Sequence, residues 1–245
     1  MRFKDKVVIV TGAASGIGLA AARRFGSEGA RVILVDLNEE KGLAAVEHVL
    51  QAGAPQAKYV SCDVSNETQV ERAVATAINS FGRWDVLVNN AGLMIFKPLE
   101  EQSGADWQKI LGVDVLGAFY FTKQAFLRMN KGGTIVNISS IHAVETTPLV
   151  SAYAAAKAAL VSLTRSTSLE GQSRGLRANV ILPGAVDTPM LWENPNVKFG
   201  RETIDRAALG SPDDLAAVIT FLAASESEFV RGSTVVVDGG RLGKL

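Results

Sequence analysis

Seven short runs of apolar, mostly β-branched residues are spaced along the chain, with helix-forming stretches filling the gaps between them. The runs are "KVVIVTG" (6–12), "ARVILVD" (30–36), "KYVSCDV" (58–64), "DVLVNNAG" (85–92), "GTIVNISS" (133–140), "LRANVILPG" (176–184) and "STVVVDGG" (233–240). Ala/Leu/Glu-rich segments lie near 17–28, 38–52, 66–81, 105–130, 152–172 and 212–224. The runs are apolar throughout and do not alternate with polar residues, so both faces of the sheet they form must be covered. Strand–helix alternation then requires right-handed crossovers. The fold expected is α/β: a doubly wound, Rossmann-type parallel sheet of about seven strands with helices on both faces. No low-complexity linker or break in composition interrupts the pattern, so 1–245 reads as a single domain. The least regular stretch, 185–210, carries Pro189 and Pro195 and follows a sheet strand, where it would serve as a substrate lid.

Composition excludes some functions. Lys+Arg 25 and Asp+Glu 25 cancel, leaving no net field to draw in nucleic acid or anionic lipid. Cys62 is the single cysteine, so no intramolecular disulfide can form, and a reducing, cytoplasmic setting is expected. Its reading is a small hydrophobe near a strand end. The N-terminal "MRFKDKVVIV" lacks a signal peptide's apolar region. No uninterrupted apolar stretch reaches the roughly 18 residues of a membrane span. No His/Cys/Asp/Glu group has metal-ligand spacing, so no metal is expected.

"TGAASGIG" (11–18) follows the first run directly and opens the first helix. Gly12, Gly16 and Gly18 would allow a sharp turn, close approach of a pyrophosphate and tight helix–strand packing, and the helix N-terminus would face the phosphate charge. Glycines also serve simply as turns; the position between strand and helix favours the phosphate reading. Asp36 ends the second run, 18 residues beyond Gly18. Its carboxylate can accept hydrogen bonds from ribose hydroxyls and would repel a 2′-phosphate, and Leu37 follows it instead of a cation, so NAD is favoured over NADP. The competing reading of Asp36 is a turn or N-cap aspartate beside Asn38. In "SAYAAAKAAL" (151–160), Tyr153 and Lys157 stand one helical turn apart on one face. They are either a half-buried tyrosine beside a surface lysine or a proton-transfer pair.

Together these residues resemble the short-chain dehydrogenase/reductase family in its compact one-domain form. The match runs nearly end to end: "TGAASGIG", "CDV" (62–64), "NNAG" (89–92), "NISS" (137–140), Tyr153-x-x-x-Lys157, "PGAVDTP" (183–189) and "VVVDGG" (235–240). The resemblance implies a cofactor cradle of Gly12, Ser15, Gly16, Ile17 and Gly18 with Asp36. Asp63 and Val64 would hold the adenine end, and Asn90, Ala91 and Gly92 the ribose and pyrophosphate path. Pro183, Gly184, Val186 and Thr188 would hold the nicotinamide end, and Tyr153 and Lys157 would touch the cofactor as well as substrate. Ser140, 13 residues before Tyr153, would bond the reacting oxygen, with Ser139 the weaker candidate.

The chemistry agrees. Hydride transfer from an alcohol needs a partner for the hydroxyl proton. Tyrosine titrates near about 10 and is a poor base at neutral pH; a nearby ammonium would lower that value, and a serine hydroxyl can donate to the developing oxyanion. One departure stands out. The family usually has asparagine seven residues after Trp107, supporting a proton-relay water, and here that position is Asp114. The candidate catalytic set is therefore Ser140, Tyr153, Lys157 and Asp114. Asp114 would either leave a relay with a shifted pH optimum or be a harmless polar replacement.

Pocket candidates are Leu93, Met94 and Phe96, then His142, Val144, Glu145, Thr146 and Leu149, and from the lid Pro189, Met190, Trp192 and Phe199. His142 and Glu145 would bind hydroxyls of a sugar or polyol, or simply cap a loop. His48 reads as a surface residue. The expected activity is an NAD-dependent hydride transfer between nicotinamide and a small secondary alcohol or ketone. The alternative is a non-catalytic NAD-sensing regulator on the same fold. A dehydratase or epimerase of the extended relatives would need more chain than the 55 residues after Met190. The resemblance also implies a homotetramer, for which the alanine-rich face of 152–160 allows close helix packing.

Overall fold

The computed structural model describes residues 1–200, 203–206 and 209–242. Seven parallel strands form one sheet in the order β3-β2-β1-β4-β5-β6-β7. They are β1 (Val7–Thr11), β2 (Arg31–Asp36), β3 (Gln56–Ser61), β4 (Val86–Asn89), β5 (Thr134–Ile138), β6 (Arg177–Pro183) and β7 (Thr234–Val237). The helices are α1 (Gly16–Ser27), α2 (Glu39–Gln51), α3 (Glu67–Phe81), α4 (Gly104–Leu111), α5 (Ala118–Arg128), α6 (Ser151–Gly171), α7 (Pro189–Glu193), α8 (Pro195–Lys198) and α9 (Pro212–Ala223). The chain runs outward from β1 to β3, crosses back, and continues from β4 to β7. The reversal lies between β1 and β4, and such a switch point opens a crevice at the strands' C-terminal ends.

Burial follows this plan. The strands β1, β4, β5 and β6 are buried at every residue, as the continuous apolar runs require. One core layer joins β1 and β2 to α1 and α9 through Phe25, Leu34, Ile219 and Leu222. The other joins Ile9, Leu87 and Trp84 to Val74 on α3 and Phe121 on α5. The two edge strands depart from the expected all-apolar pattern: residues of β3 and β7 alternate between more and less exposed positions. An edge strand has a neighbour on one side only and its outer face is thinly covered. The third strand was expected over 58–64. It begins two residues earlier and ends at Ser61, paired with Asp36, so that Cys62, Asp63 and Val64 leave the sheet and turn into the crevice.

The stretch expected as one helix over 105–130 is helical along its length, but α4 and α5 are joined by a π-helical turn, Gly112–Gly117. Widened turns of this kind are frequent at functional sites, and this one carries Asp114. The 25-residue helical stretch Gly104–Arg128 contains an 18-residue window of mean hydropathy 1.3, enough for a membrane span by length and composition; here it packs against α6 and the Val64 loop. The stretch 185–210 is not structureless. Its base is fastened where Asp187 N and Gly210 N bond Gly210 O and Ala185 O, and α7 and α8 lie between. Residues 201, 202, 207 and 208 of that segment lie outside the described residues.

Candidate active site

A cavity of about 680 Å³ opens at the C-terminal ends of the strands. At its floor the chain leaves β1 through Gly12 and Gly16, both with positive φ (61° and 52°), a backbone region that glycine enters without strain. Any Cβ on Gly12 would crowd Asn90 and Ala91. A Cβ on Gly18 would overlap Gly12 O and the Asn90 amide, so Gly18 sits under the turn and does not border the cavity. Asn90 holds the turn from below, donating Nδ2 to Thr11 O (3.0 Å) and Gly12 O (3.1 Å). The α1 N-terminus starts at Ser15 with no side-chain cap and no acid in its first turn. By contrast α2, α3, α4 and α9 are capped by Asn38, Asn66, Ser103 and Ser211. Uncapped first-turn amides and the helix dipole favour an anion at that end.

One end of the cavity is acidic. Asp36 accepts from the amides of Ala14 (3.0 Å) and Asn38 (3.1 Å), which aims its carboxylate across the glycine turn. Leu37 beside it is exposed. Asp63 accepts from Ser65 N and Oγ (2.9 and 2.7 Å), and its own amide bonds Gln69. Cys62 and Val64 complete this end, and burial, with Asp63 adding to it, pushes the Cys62 thiol up to about 12. The middle is lined by Asn90, Ala91 and Gly92 on one side and Pro183, Gly184, Val186 and Thr188 on the other. A narrow cleft with a side-chain-free floor, an uncapped helix end and a carboxylate at its far end suits a dinucleotide. The residues present fit that group.

Ser140, Tyr153 and Lys157 converge at the other end. Ser140 leaves β5 and its Oγ accepts from His142 N (3.2 Å), so its hydroxyl hydrogen is directed elsewhere; it reaches Tyr153. Ser139 is committed to the protein, donating to Lys157 O (2.8 Å). Tyr153 and Lys157 lie on one face of α6, with Nζ 5.4 Å from the ring centroid. Both are almost wholly buried, at 6% and 3% exposed. Lys157 Nζ donates to Ile138 O (3.1 Å) and stands 3.3 Å from Asp114 Oδ2. Asp114 is 1% exposed and its Oδ1 accepts from Leu93 N (2.9 Å). Gly92 sits against this pair; a Cβ there would press on both Asp114 Oδ2 and Lys157 Nζ.

The electrostatics correct one expectation. Lys157 does draw Tyr153 downward, but burial raises the phenol first and Asp114 adds to it, and the net direction is up. Burial pulls the Lys157 ammonium down, yet Asp114 and Tyr153 outweigh it and raise it overall. The Asp114 carboxyl is raised, because burial exceeds the pull of Lys157 and the Leu93 amide.

Around this end lie Met94, His142, Glu145 and Met190. The His142 ring meets Tyr153 edge-on at 5.8 Å, and its Nδ1 is 3.1 Å from Thr146 Oγ1. Trp192 is not part of the lining: its Nε1 donates to Asp187 Oδ1 (2.7 Å) and Arg206 stacks on its ring. It braces the lid from outside, and Leu191 faces the cavity instead. Leu93, Thr146 and Pro189 border the cavity; Phe96, Val144, Leu149 and Phe199 do not. Asp114 also lies behind the wall, against Lys157, Gly92 and Leu93, which do border the cavity. Arg241, Asn194 and Thr147 border the cavity without any sequence signal having pointed to them. Arg241 follows the "VVVDGG" run, which was the one available hint. Among the described residues no group of three or more His, Cys, Asp or Glu could hold a metal.

Known proteins give the site a context. A family model described as enoyl-(acyl carrier protein) reductase matches residues 12–241. Meso-2,3-butanediol dehydrogenase of Serratia marcescens is 39% identical over 245 residues, covering 98% of this chain and 96% of that protein. The crystal structure of levodione reductase superposes with a TM-score of 0.93 at 33% identity, covering both chains fully. A short-chain dehydrogenase from Burkholderia cenocepacia J2315, solved with NADP, superposes with a TM-score of 0.90 at 30% identity, covering 98% of each chain.

Proposed function

Because the chain belongs to the short-chain dehydrogenase/reductase family, we propose that it is an NAD-dependent enzyme moving a hydride between nicotinamide and a small secondary alcohol or its ketone. The observation that carries this reading is the meeting of Ser140, Tyr153 and Lys157 at one end of a cleft whose other end is closed by Asp36. Nicotinamide supplies the hydride acceptor for oxidation and the donor for reduction. The uncapped α1 N-terminus with Gly12, Ser15, Gly16 and Ile17 would hold the pyrophosphate, Asp36 the adenosine ribose, and Asp63 and Val64 the adenine end. Asn90 to Gly92 would line the path, and Pro183, Gly184, Val186 and Thr188 would orient the nicotinamide. Gly18 would act beneath the turn by packing.

Ser140, its lone pair taken by the His142 amide, would donate its hydroxyl hydrogen to the substrate oxygen. Tyr153 would take that oxygen's proton during oxidation and return one during reduction. Lys157 would offset the cost of the phenolate in a buried site, and Asp114 would act on both through Lys157 as a positioning residue. NAD is preferred in this reading because Asp36 and Leu37, with no cation beside them, meet the ribose. The NADP bound by a 30% identical neighbour belongs to that protein. A diol or polyol substrate is favoured by His142 and Glu145 at the mouth and by the butanediol dehydrogenase likeness. Exposed apolar residues on α5 (Phe119, Leu127) and near β7 (Phe229, Val236) support a homotetramer, and the single cysteine a cytoplasmic setting.

The test is a panel of secondary alcohols, sugars and polyols with NAD and NADP, followed by reduced-nicotinamide absorbance. Tyr153→Phe is expected to lose about a hundredfold or more in kcat while still binding coenzyme. A Tyr153→Phe enzyme as fast as the parent refutes the assignment. Binding of NAD with no turnover of any substrate favours the sensing alternative.

A further inference from the structure

Beside Asp114 lies a small space of about 10 Å³, bordered by Asn89 and Asp114 among apolar neighbours such as Phe121 and Leu160. Its hydrogen-bond polarity can be traced from α6. The Thr164 hydroxyl donates to Leu160 O (2.7 Å), so its lone pair accepts from Asn137 Nδ2 (2.8 Å). That turns Asn137 Oδ1 toward β4, where it accepts from Asn89 Nδ2 (2.8 Å). The amide orientation of Asn89 is thereby fixed; its Oδ1 is buried and without a donor, and the residue borders the small space. Asp114 borders the same space, and its Oδ2 has no well-aligned donor, the Lys157 ammonium standing 3.3 Å away as its ion-pair partner. Two buried acceptors border room for one water at most, so a proton taken up on Asp114 Oδ2 would enter a space that already offers it an acceptor.

Resting on the oxidoreductase reading above, we propose that Asp114 is an internal proton-holding site: the proton released in alcohol oxidation is kept on Asp114 Oδ2, with Asn89 Oδ1 as its acceptor, and reaches solvent in a later step. The balance is as follows. The carbinol C–H bond breaks and its electron pair leaves as hydride to nicotinamide, which is reduced; the alcohol is oxidised to a ketone. The O–H proton enters at the Tyr153 oxygen. Lys157 gives a proton to Asp114 Oδ2 and recovers one from the Tyr153 side. At the end Tyr153 and Lys157 are unchanged and one proton sits on Asp114. The asparagine usual at this position cannot accept a proton. Lys157 and Tyr153 are the titratable groups that face Asp114 among the described residues, and Val64, Ala91 and Val113 stand between the site and the large cavity, lining both. Burial, which favours the neutral acid, acts in the same direction.

The test is a single-turnover oxidation of meso-2,3-butanediol with enzyme and NAD in excess, in weak buffer. Reduced nicotinamide and a pH indicator are followed together. In the parent enzyme proton release should lag the hydride burst, and in Asp114→Asn the two should coincide. Simultaneous, stoichiometric release in the parent overturns the proposal while leaving the oxidoreductase reading intact. If no reduced nicotinamide forms with this diol or with any alcohol of the panel, that reading fails, and infrared titration of the folded protein without substrate decides the proposal. It should show a neutral carboxylic acid band titrating above the ordinary carboxylate range, absent in Asp114→Asn and shifted in Asn89→Leu. A titration without that band overturns the proposal whatever the activity.

Discussion

Replacing Asp36 by alanine should remove most of the discrimination between NAD and NADP. Two unit charges about 4 Å apart interact by about 1 kcal/mol in water and about 4 kcal/mol at an effective dielectric of 20. Asp36 is half-exposed, so the lower part of that range applies. A phosphate carrying about −1.5 to −2 then meets a repulsion of about 2–3 kcal/mol from the Asp36 carboxylate. NAD in turn gains charge-assisted hydrogen bonds to that carboxylate, about 1.5 kcal/mol or more for each ribose hydroxyl. Losing both effects shifts the NAD/NADP ratio of kcat/KM by about 4 kcal/mol, close to a thousandfold at 1.4 kcal/mol per decade. The structure adds a further push. Without Asp36 the amides of Ala14 and Asn38 lose their acceptor and are left free to bond another anion. Asp36→Ala combined with Leu37→Arg should therefore reverse the preference. The assay is initial rates of nicotinamide reduction with each coenzyme. A parent enzyme that prefers NADP, or an Asp36→Ala ratio that moves less than about tenfold, refutes the reasoning.

Gly18→Ala should hinder coenzyme binding and destabilise the fold by about 1–3 kcal/mol, because the added methyl overlaps Gly12 O and the Asn90 amide; coenzyme titration and thermal melting would read both. Arg177, buried, donates to Leu222 O, Ser227 O, Val230 O, Ala224 O and Thr134 Oγ1, joining β6 and β5 to the end of α9. Arg177→Met strands these acceptors and should cost about 3 kcal/mol or more, a fall of about 6–12 °C in Tm. Burial pushes the Asp85 carboxyl up, but the Arg83 guanidinium, the Val7 amide and Lys6 outweigh it and hold it below the ordinary carboxylate range. A depressed folded-state value contributes stability that is present above the unfolded carboxylate's value and is lost as pH falls through the folded one. Melting of the parent should therefore decline more steeply on acidification than melting of Asp85→Asn; parallel declines would count against it.

The order of elements was legible in the sequence because it depends on local pattern. Uninterrupted β-branched runs specify strands covered on both faces, and four of the seven strands are buried at every residue. Gly12 and Gly16 could be read as a turn because only glycine enters that backbone region without strain, and the spacing of Tyr153 and Lys157 gives a shared helix face at once. Those features depend on residues within a few positions of one another. Tertiary structure decided the rest. Trp192 looked like a pocket wall, but Asp187 and Arg206 draw it to the outer side of the lid, while Leu191 and Arg241 turn inward. The turn that brings Asp114 to Lys157 is a widening of a helix whose local sequence reads as ordinary α. Whether Tyr153 titrates up or down could not follow from its lysine alone, since it depends on burial and on a carboxylate 39 positions away in the chain. Periodicity and turn chemistry act over one or two turns of chain and are written in the residues themselves. Desolvation and the pairing of distant polar atoms exist only once the sheet has closed around them.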